Sequence, residues 1–132
     1  MDALLNLVAE ISDGDSRGRG ECVPLRRYGE NVDSVVAAID AMKGAVFSGL
    51  DRDALQQALP PGAARNALDC AFWDIDAKRA YRSVAALAGF GAVVSVVTAL
   101  TGAFDTPDKM AEQAAANRTR PLLRLELWGD GD

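Results

Sequence analysis

Val93-Val94-Ser95-Val96-Val97-Thr98-Ala99-Leu100-Thr101 is a β-branched run without clean polar alternation, the pattern of a strand buried on both faces. Thr106-Pro107-Asp108 then starts a helix, with Pro107 at the first helical position and Asp108 favourable to the helix dipole. That helix is expected to run to about Asn117. Pro121 leads into a second strand over Leu122 to Trp128. Strand, helix and strand in so short a span predict a βαβ unit with parallel strands. Parallel sheets normally have both faces covered, so the pair reads as the beginning of something larger.

Upstream the pattern differs. Leu5, Leu7, Ala9 and Ile11 alternate and predict a strand ending at Ser12. Asp13-Gly14 is a turn signal, and Arg17 to Val23 returns as the antiparallel partner. Glycines at 14, 18 and 20 point to a loose or bulged hairpin. Asn31 can cap a helix whose apolar residues Val32, Val35, Val36, Ile39 and Met42 fall at helical spacing, closing at or just before Gly44. A short helix from Asp51 to Leu59 stops at Pro60-Pro61. A longer one, from after Gly62 to about Ala80, aligns Leu68, Phe72 and Ile75. Ser83 caps a short turn that Gly89 ends. The predicted class is α+β: an antiparallel hairpin with a helical bundle over residues 1–91, then one βαβ unit over residues 92–132.

Composition narrows the chemistry. A chain of 132 residues with 14 basic and 19 acidic side chains carries a charge of −5, which argues against nucleic-acid and anionic-membrane partners. No apolar run approaches the roughly 18 residues of a membrane span. The N-terminus lacks the features of a signal peptide, so a cytoplasmic chain with Cys22 and Cys70 reduced is expected. Histidine is absent. That excludes a Ser-His-Asp triad, an imidazole base and any histidine-bearing metal site in this chain. Acid, lysine or tyrosine chemistry remains, or no chemistry.

Several ordered segments carry a resemblance. They are Gly18-Arg19-Gly20-Glu21-Cys22-Val23-Pro24, Arg27-Tyr28-Gly29-Glu30, Pro60-Pro61-Gly62-Ala63-Ala64-Arg65-Asn66-Ala67-Leu68-Asp69-Cys70-Ala71 and Trp73-Asp74, with Thr98-Ala99, Thr101 and Asp105-Thr106-Pro107 beyond them. Together they resemble dipeptide epimerases of the muconate-lactonizing branch of the enolase superfamily. The resemblance implies an N-terminal α+β capping domain, lacking its first strand here, followed by the start of a modified (β/α) barrel. It implies an isomerase acting at the α-carbon of dipeptides such as Ala-Glu. A Mg²⁺ held by carboxylates at barrel strand ends would stabilise the enolate, and two lysines would move the proton.

The departures are informative. A whole barrel needs about 250 residues, and the strands that bear the metal ligands and the second lysine are expected to lie outside this chain, leaving no metal ligands in it. Where the family has Lys-x-Lys on the last strand, this sequence reads Arg124-Leu125-Glu126. Arg124 therefore takes the first lysine position and Glu126 the position of the catalytic base. Alternation along a strand puts both on one face, where they could instead be a solvated or mutually paired Arg and Glu. Thr98 and Thr101 close the first parallel strand, where barrel sites collect, and are candidate substrate contacts. Arg27 and Tyr28 lie on a loop after the hairpin, the region that in this family closes over substrate. The expectation is a fragment inactive by itself. The alternative is a non-catalytic module that pairs its open strands with another chain or copy, as a homo-oligomer.

Overall fold

The computed structural model describes residues 5–91 and 94–126. Contacts divide the chain into two units, Met1–Gly91 and Ala92–Asp132. In the first, β1 (Leu7–Ser12) and β2 (Arg17–Cys22) pair antiparallel, from Leu7 opposite Cys22 to Ser12 opposite Arg17. The ladder is unbroken, so the expected bulge is absent. The glycines serve a different purpose. Gly18, Gly20 and Cys22 form the buried face of β2, and this face lies directly on helix α3 (Ala63–Arg79). A Cβ on Gly18 would stand 2.1 Å from the Ala71 carbonyl oxygen, and one on Gly20 1.9 Å from that of Ala67. Strand and helix backbones touch because β2 supplies no side chain at the contact: Gly18 lies on Ala71 and Ile75, and Gly20 on Ala67 and Ala71.

Helix α1 (Val32–Phe47) starts at a reciprocal cap. The Ser34 amide donates to Asn31 Oδ1 at 2.9 Å, and the Asn31 amide donates to Ser34 Oγ at 3.0 Å. It runs through Gly44 rather than ending there and stops before Gly49, whose φ of +93° is the left-handed conformation that ends helices. The last turn persists because Ala45 and Val46 pack on the core. Helix α2 (Arg52–Ala58) is capped by Asp51 and buries Leu55 completely. Leu68, Phe72 and Ile75 of α3 are buried as the stripe predicts. With Val35, Met42 and Leu55, the first two complete one apolar core. Helix α4 (Val84–Leu87) follows its Ser83 cap.

Acids near Trp73 tie these elements together. Asp74 Oδ2 accepts from the Arg19 amide at 2.8 Å and from Lys78 Nζ at 2.7 Å. Asp76 pairs with Arg52 at 3.2 Å, and the Arg52 guanidinium lies 3.5 Å from the centre of the Trp73 ring. Asp69 accepts from Gln56 Nε2 at 3.0 Å.

The second unit is a short βαβ. β3 (Leu100–Thr101) and β4 (Leu123–Arg124) pair parallel, joined by helix α5 (Pro107–Ala116). Both strands are shorter than expected. Residues 94–99 form no regular structure, and Val94, Val96 and Val97 are well exposed rather than buried on two faces. The reason is physical: a parallel strand gains burial and hydrogen bonds from neighbours on each side, and among the described residues each strand has one neighbour. Val93, Leu127 and Trp128, also expected in strands, lie outside the described residues. Among the described residues no helix is long and apolar enough to cross a membrane.

Candidate functional site

The C-terminal ends of β3 and β4 hold three of the six residues singled out from sequence: Thr101, Arg124 and Glu126. Thr101 closes β3 directly opposite Arg124 in the ladder, and the Gly102 amide donates to the Arg124 carbonyl at 3.0 Å. Thr98 is exposed and stands before β3, outside the strand expected to carry it. Arg124 and Glu126 share one face, and Arg124 Nη2 meets Glu126 Oε1 at 2.9 Å. Their side chains are 65% and 52% exposed. At that exposure the pair adds little stability, and each group neutralises the other.

The loop after β3 is held by a residue that sequence reasoning missed. Gln113, on α5, accepts the Ala103 amide through Oε1 at 3.0 Å, while its carbonyl accepts from Asn117 Nδ2 at 2.8 Å. Asp105 accepts from the Thr106 amide and pairs with Lys109 at 3.4 Å. A mid-helix glutamine carries no local sequence signal for such a tether, because the contact depends on the loop folding back over the helix.

Arg27 and Tyr28 belong to the first unit. They lie in a 3₁₀ turn, Arg26–Tyr28, that ends at Gly29 with φ +75°. The Tyr28 and Glu30 amides both donate to the Leu25 carbonyl, at 2.9 and 3.4 Å. The Arg27 guanidinium lies 5.0 Å from the centre of the Tyr28 ring, which is 66% exposed. Beside the turn is a shallow cavity of about 420 Å³, lined by Cys22, Leu25, Tyr28, Glu30, Pro61 and Asn66 among others. Both cysteines are free thiols. Burial pushes the Cys22 thiol up, with the Glu30 and Glu21 carboxylates adding to the effect, so it is not a thiolate nucleophile at neutral pH.

Charges elsewhere in this unit are engaged structurally. The Arg19 hydrogen bond holds the Glu10 carboxyl below its ordinary value. The Ser16 amide, then Arg79, does the same for Asp13, and Lys78, then the Arg19 amide, for Asp74. Each of these acids is a charged acceptor in a hydrogen-bonded ion pair, not a poised proton donor. Among the described residues, no three Cys, Asp or Glu side chains converge as a metal site. The described residues therefore do not form a site for the magnesium ion that the resemblance implies.

Comparison with known proteins shows what the chain is similar to. The chain is 46% identical over 123 residues to the L-Ala-D/L-Glu epimerase of Escherichia coli (strain K12), covering 92% of this chain and 38% of that protein. It is 36% identical to an N-acetyl-D-glutamate racemase from Pseudoalteromonas sp, covering 92% of this chain and 39% of that one. A crystal structure of an enolase family member from Agrobacterium tumefaciens with homology to dipeptide epimerases, holding sodium and L-Ala-L-Glu with an ordered loop, superposes with a TM-score of 0.88. Its identity is 45%, over 92% of this chain and 37% of that chain. The chain thus spans well under half the length of the curated relatives it matches. Residues 7–89 match the mandelate racemase / muconate lactonizing enzyme N-terminal domain, and the chain belongs to that family.

Proposed function

We propose that this chain supplies the substrate-covering cap and the first βαβ element of a dipeptide-epimerase type protein, and that it does not move the α-proton by itself. The substrate class we assign is N-acylated glutamate, with Ala-Glu dipeptides as the type compound. The relatives' names share that chemistry: in both Ala-Glu and N-acetylglutamate the glutamate nitrogen is acylated. Arg27 and Tyr28 are the cap residues that would meet it, and Thr101 with Thr98 the strand-end contacts.

The observation that carries the inactivity is the ion pair of Arg124 and Glu126 at 2.9 Å. Epimerisation needs a base on one side of the α-carbon, an acid on the other and an electrophile for the enolate. The Glu126 carboxylate is engaged with the Arg124 guanidinium, and its negative charge opposes an enolate forming beside it. Losses within such a machine are not additive, so restoring one part does not restore the rate. The test is α-proton exchange of L-Ala-L-Glu in D₂O with added Mg²⁺, followed by NMR. No exchange above a heat-denatured control is expected, either from the chain as it stands or from Glu126→Lys. Exchange from either one would overturn the reading.

One observation favours a second reading. Val94, Val96 and Val97 are 73%, 77% and 63% exposed beside a parallel sheet that, among the described residues, has two strands and so two open edges, a template for strand pairing with another copy. A monomeric mass by light scattering at high protein concentration would rule it out.

A further inference from the structure

Helix α3, on which the whole first unit is built, has no cap of its own. Gly62 occupies the N-cap position and offers no side chain to the orphan amides of the first turn. The cap comes from 33 positions away in sequence. Glu30 Oε1 accepts the Ala63 amide at 2.7 Å, in a partly buried setting. A carboxylate there also satisfies the positive end of the helix dipole. Gly62 itself shows that the site is built for this group: a Cβ on it would stand 2.7 Å from the same Glu30 Oε1. Its φ of 163° and ψ of −177° are extended backbone, so conformation admits a side chain there, and the group that would have to move is the Glu30 carboxylate.

Glu30 also directly follows the turn that carries Arg27 and Tyr28 and ends at Gly29. Its own amide closes that turn by donating to the Leu25 carbonyl at 3.4 Å, beside the Tyr28 amide at 2.9 Å. Gly29, immediately before it, is left-handed. One residue therefore ends the turn through its backbone and grips the central helix through its side chain. We propose that Glu30 is a latch: a positioning residue that registers the Arg27–Tyr28 turn against the N-terminus of α3. As a statement about substrate binding this rests on the role assigned above to Arg27 and Tyr28. As a statement about the turn it does not.

The test needs no substrate, so failure of the latch is distinct from failure of the functional reading. Amide hydrogen exchange of the full chain is measured by NMR for the protein as it stands and for Glu30→Ala, Glu30→Gln and Gly62→Ala. Loss of a charged cap is expected to speed exchange about tenfold. In Glu30→Ala that acceleration should appear together at Ala63, Tyr28 and Gly29, while amides of β1 and of the middle of α3 keep their protection. Gly62→Ala, which displaces the carboxylate without removing it, should reproduce the same pattern. Glu30→Gln keeps an oxygen acceptor and should lie close to the unmodified protein. Acceleration at Ala63 alone would show a cap that does not hold the turn. Uniform acceleration across residues 7–79 would show a merely structural residue. Glu30→Gln behaving like Glu30→Ala would deny the acceptor role. Each of these three results overturns the latch.

Discussion

The two units pack strands in opposite ways. In the first, β2 presses its backbone onto α3 through Gly18 and Gly20, and a core of Val35, Met42, Leu55, Leu68 and Phe72 closes beside it. In the second, two residues of β3 pair with two of β4, and Met110 is the buried apolar residue of the helix that joins them. A two-stranded sheet is marginal in water without a larger apolar face to bury. The contrast teaches that one chain can hold a first unit with a finished interior and a strand pair whose side chains remain on the surface.

Glycine substitutions break the contrast most sharply. Gly20→Ala places a methyl 1.9 Å from the Ala67 carbonyl, where backbone meets backbone and nothing flexible can yield. The hairpin must lift off the helix, at about 3 kcal/mol and roughly 15 °C of Tm. Gly102→Ala presses on the end of the Leu125 side chain at 3.3 Å and makes ordinary contact with Gln113 Oε1 at 3.6 Å and the Arg124 carbonyl at 3.9 Å, and calorimetry should show a change within about 0.5 kcal/mol. Equal effects of the two would erase the distinction between the units. Gly44→Ala, inside α1 with nothing within 4 Å of the new methyl, should instead raise stability by about 0.5–1 kcal/mol in urea unfolding.

Acid should act on the first unit. Glu10, Asp13 and Asp74 all have carboxyl groups held below their ordinary values by Arg19, Ser16 with Arg79, and Lys78 respectively. A depressed folded-state pKa contributes stability above the unfolded value, about 4, and loses it as pH falls through the lower folded value. Unfolding midpoints followed by Trp73 fluorescence, in a Trp128→Phe background, should therefore hold steady from pH 7 to 5 and drop below about pH 4. Asp74→Asn should flatten that drop. The smallest effect belongs to the exposed pair at the end of β4. A double-mutant cycle of Arg124→Ala and Glu126→Ala should return a coupling below about 0.5 kcal/mol.

Much of the fold is legible in the sequence because local chemistry dictates it. Asn31 and Ser83 cap the elements they are expected to start, apolar spacing predicts α1 and α3, and Pro60-Pro61 separates α2 from α3. Long-range geometry is what the sequence hides. Glycines at 18 and 20 resemble a loosened hairpin until α3 is seen against them. The valines from Val94 to Val97 have strand propensity, yet propensity alone cannot supply neighbouring strands. In the candidate site, the shared face of Arg124 and Glu126 follows from alternation along a strand, and their ion pair is one of the two arrangements that alternation allows. Gln113 and Glu30 were invisible as tethers, since each contact forms only once a loop has come to rest on a helix.

Residue-resolved hydrogen exchange across the whole chain tests the contrast between the units most directly. Amides of β1, β2 and the middle of α3 should exchange together, only through global opening of their unit. The Leu100 and Gly102 amides, which donate to Leu122 and Arg124 at 3.0 Å each, should exchange at least a hundredfold faster, on the order of 3 kcal/mol less protection. Equal protection of the two sets would contradict the account, because it would mean that the short parallel pair is held as firmly as the hairpin on its helix.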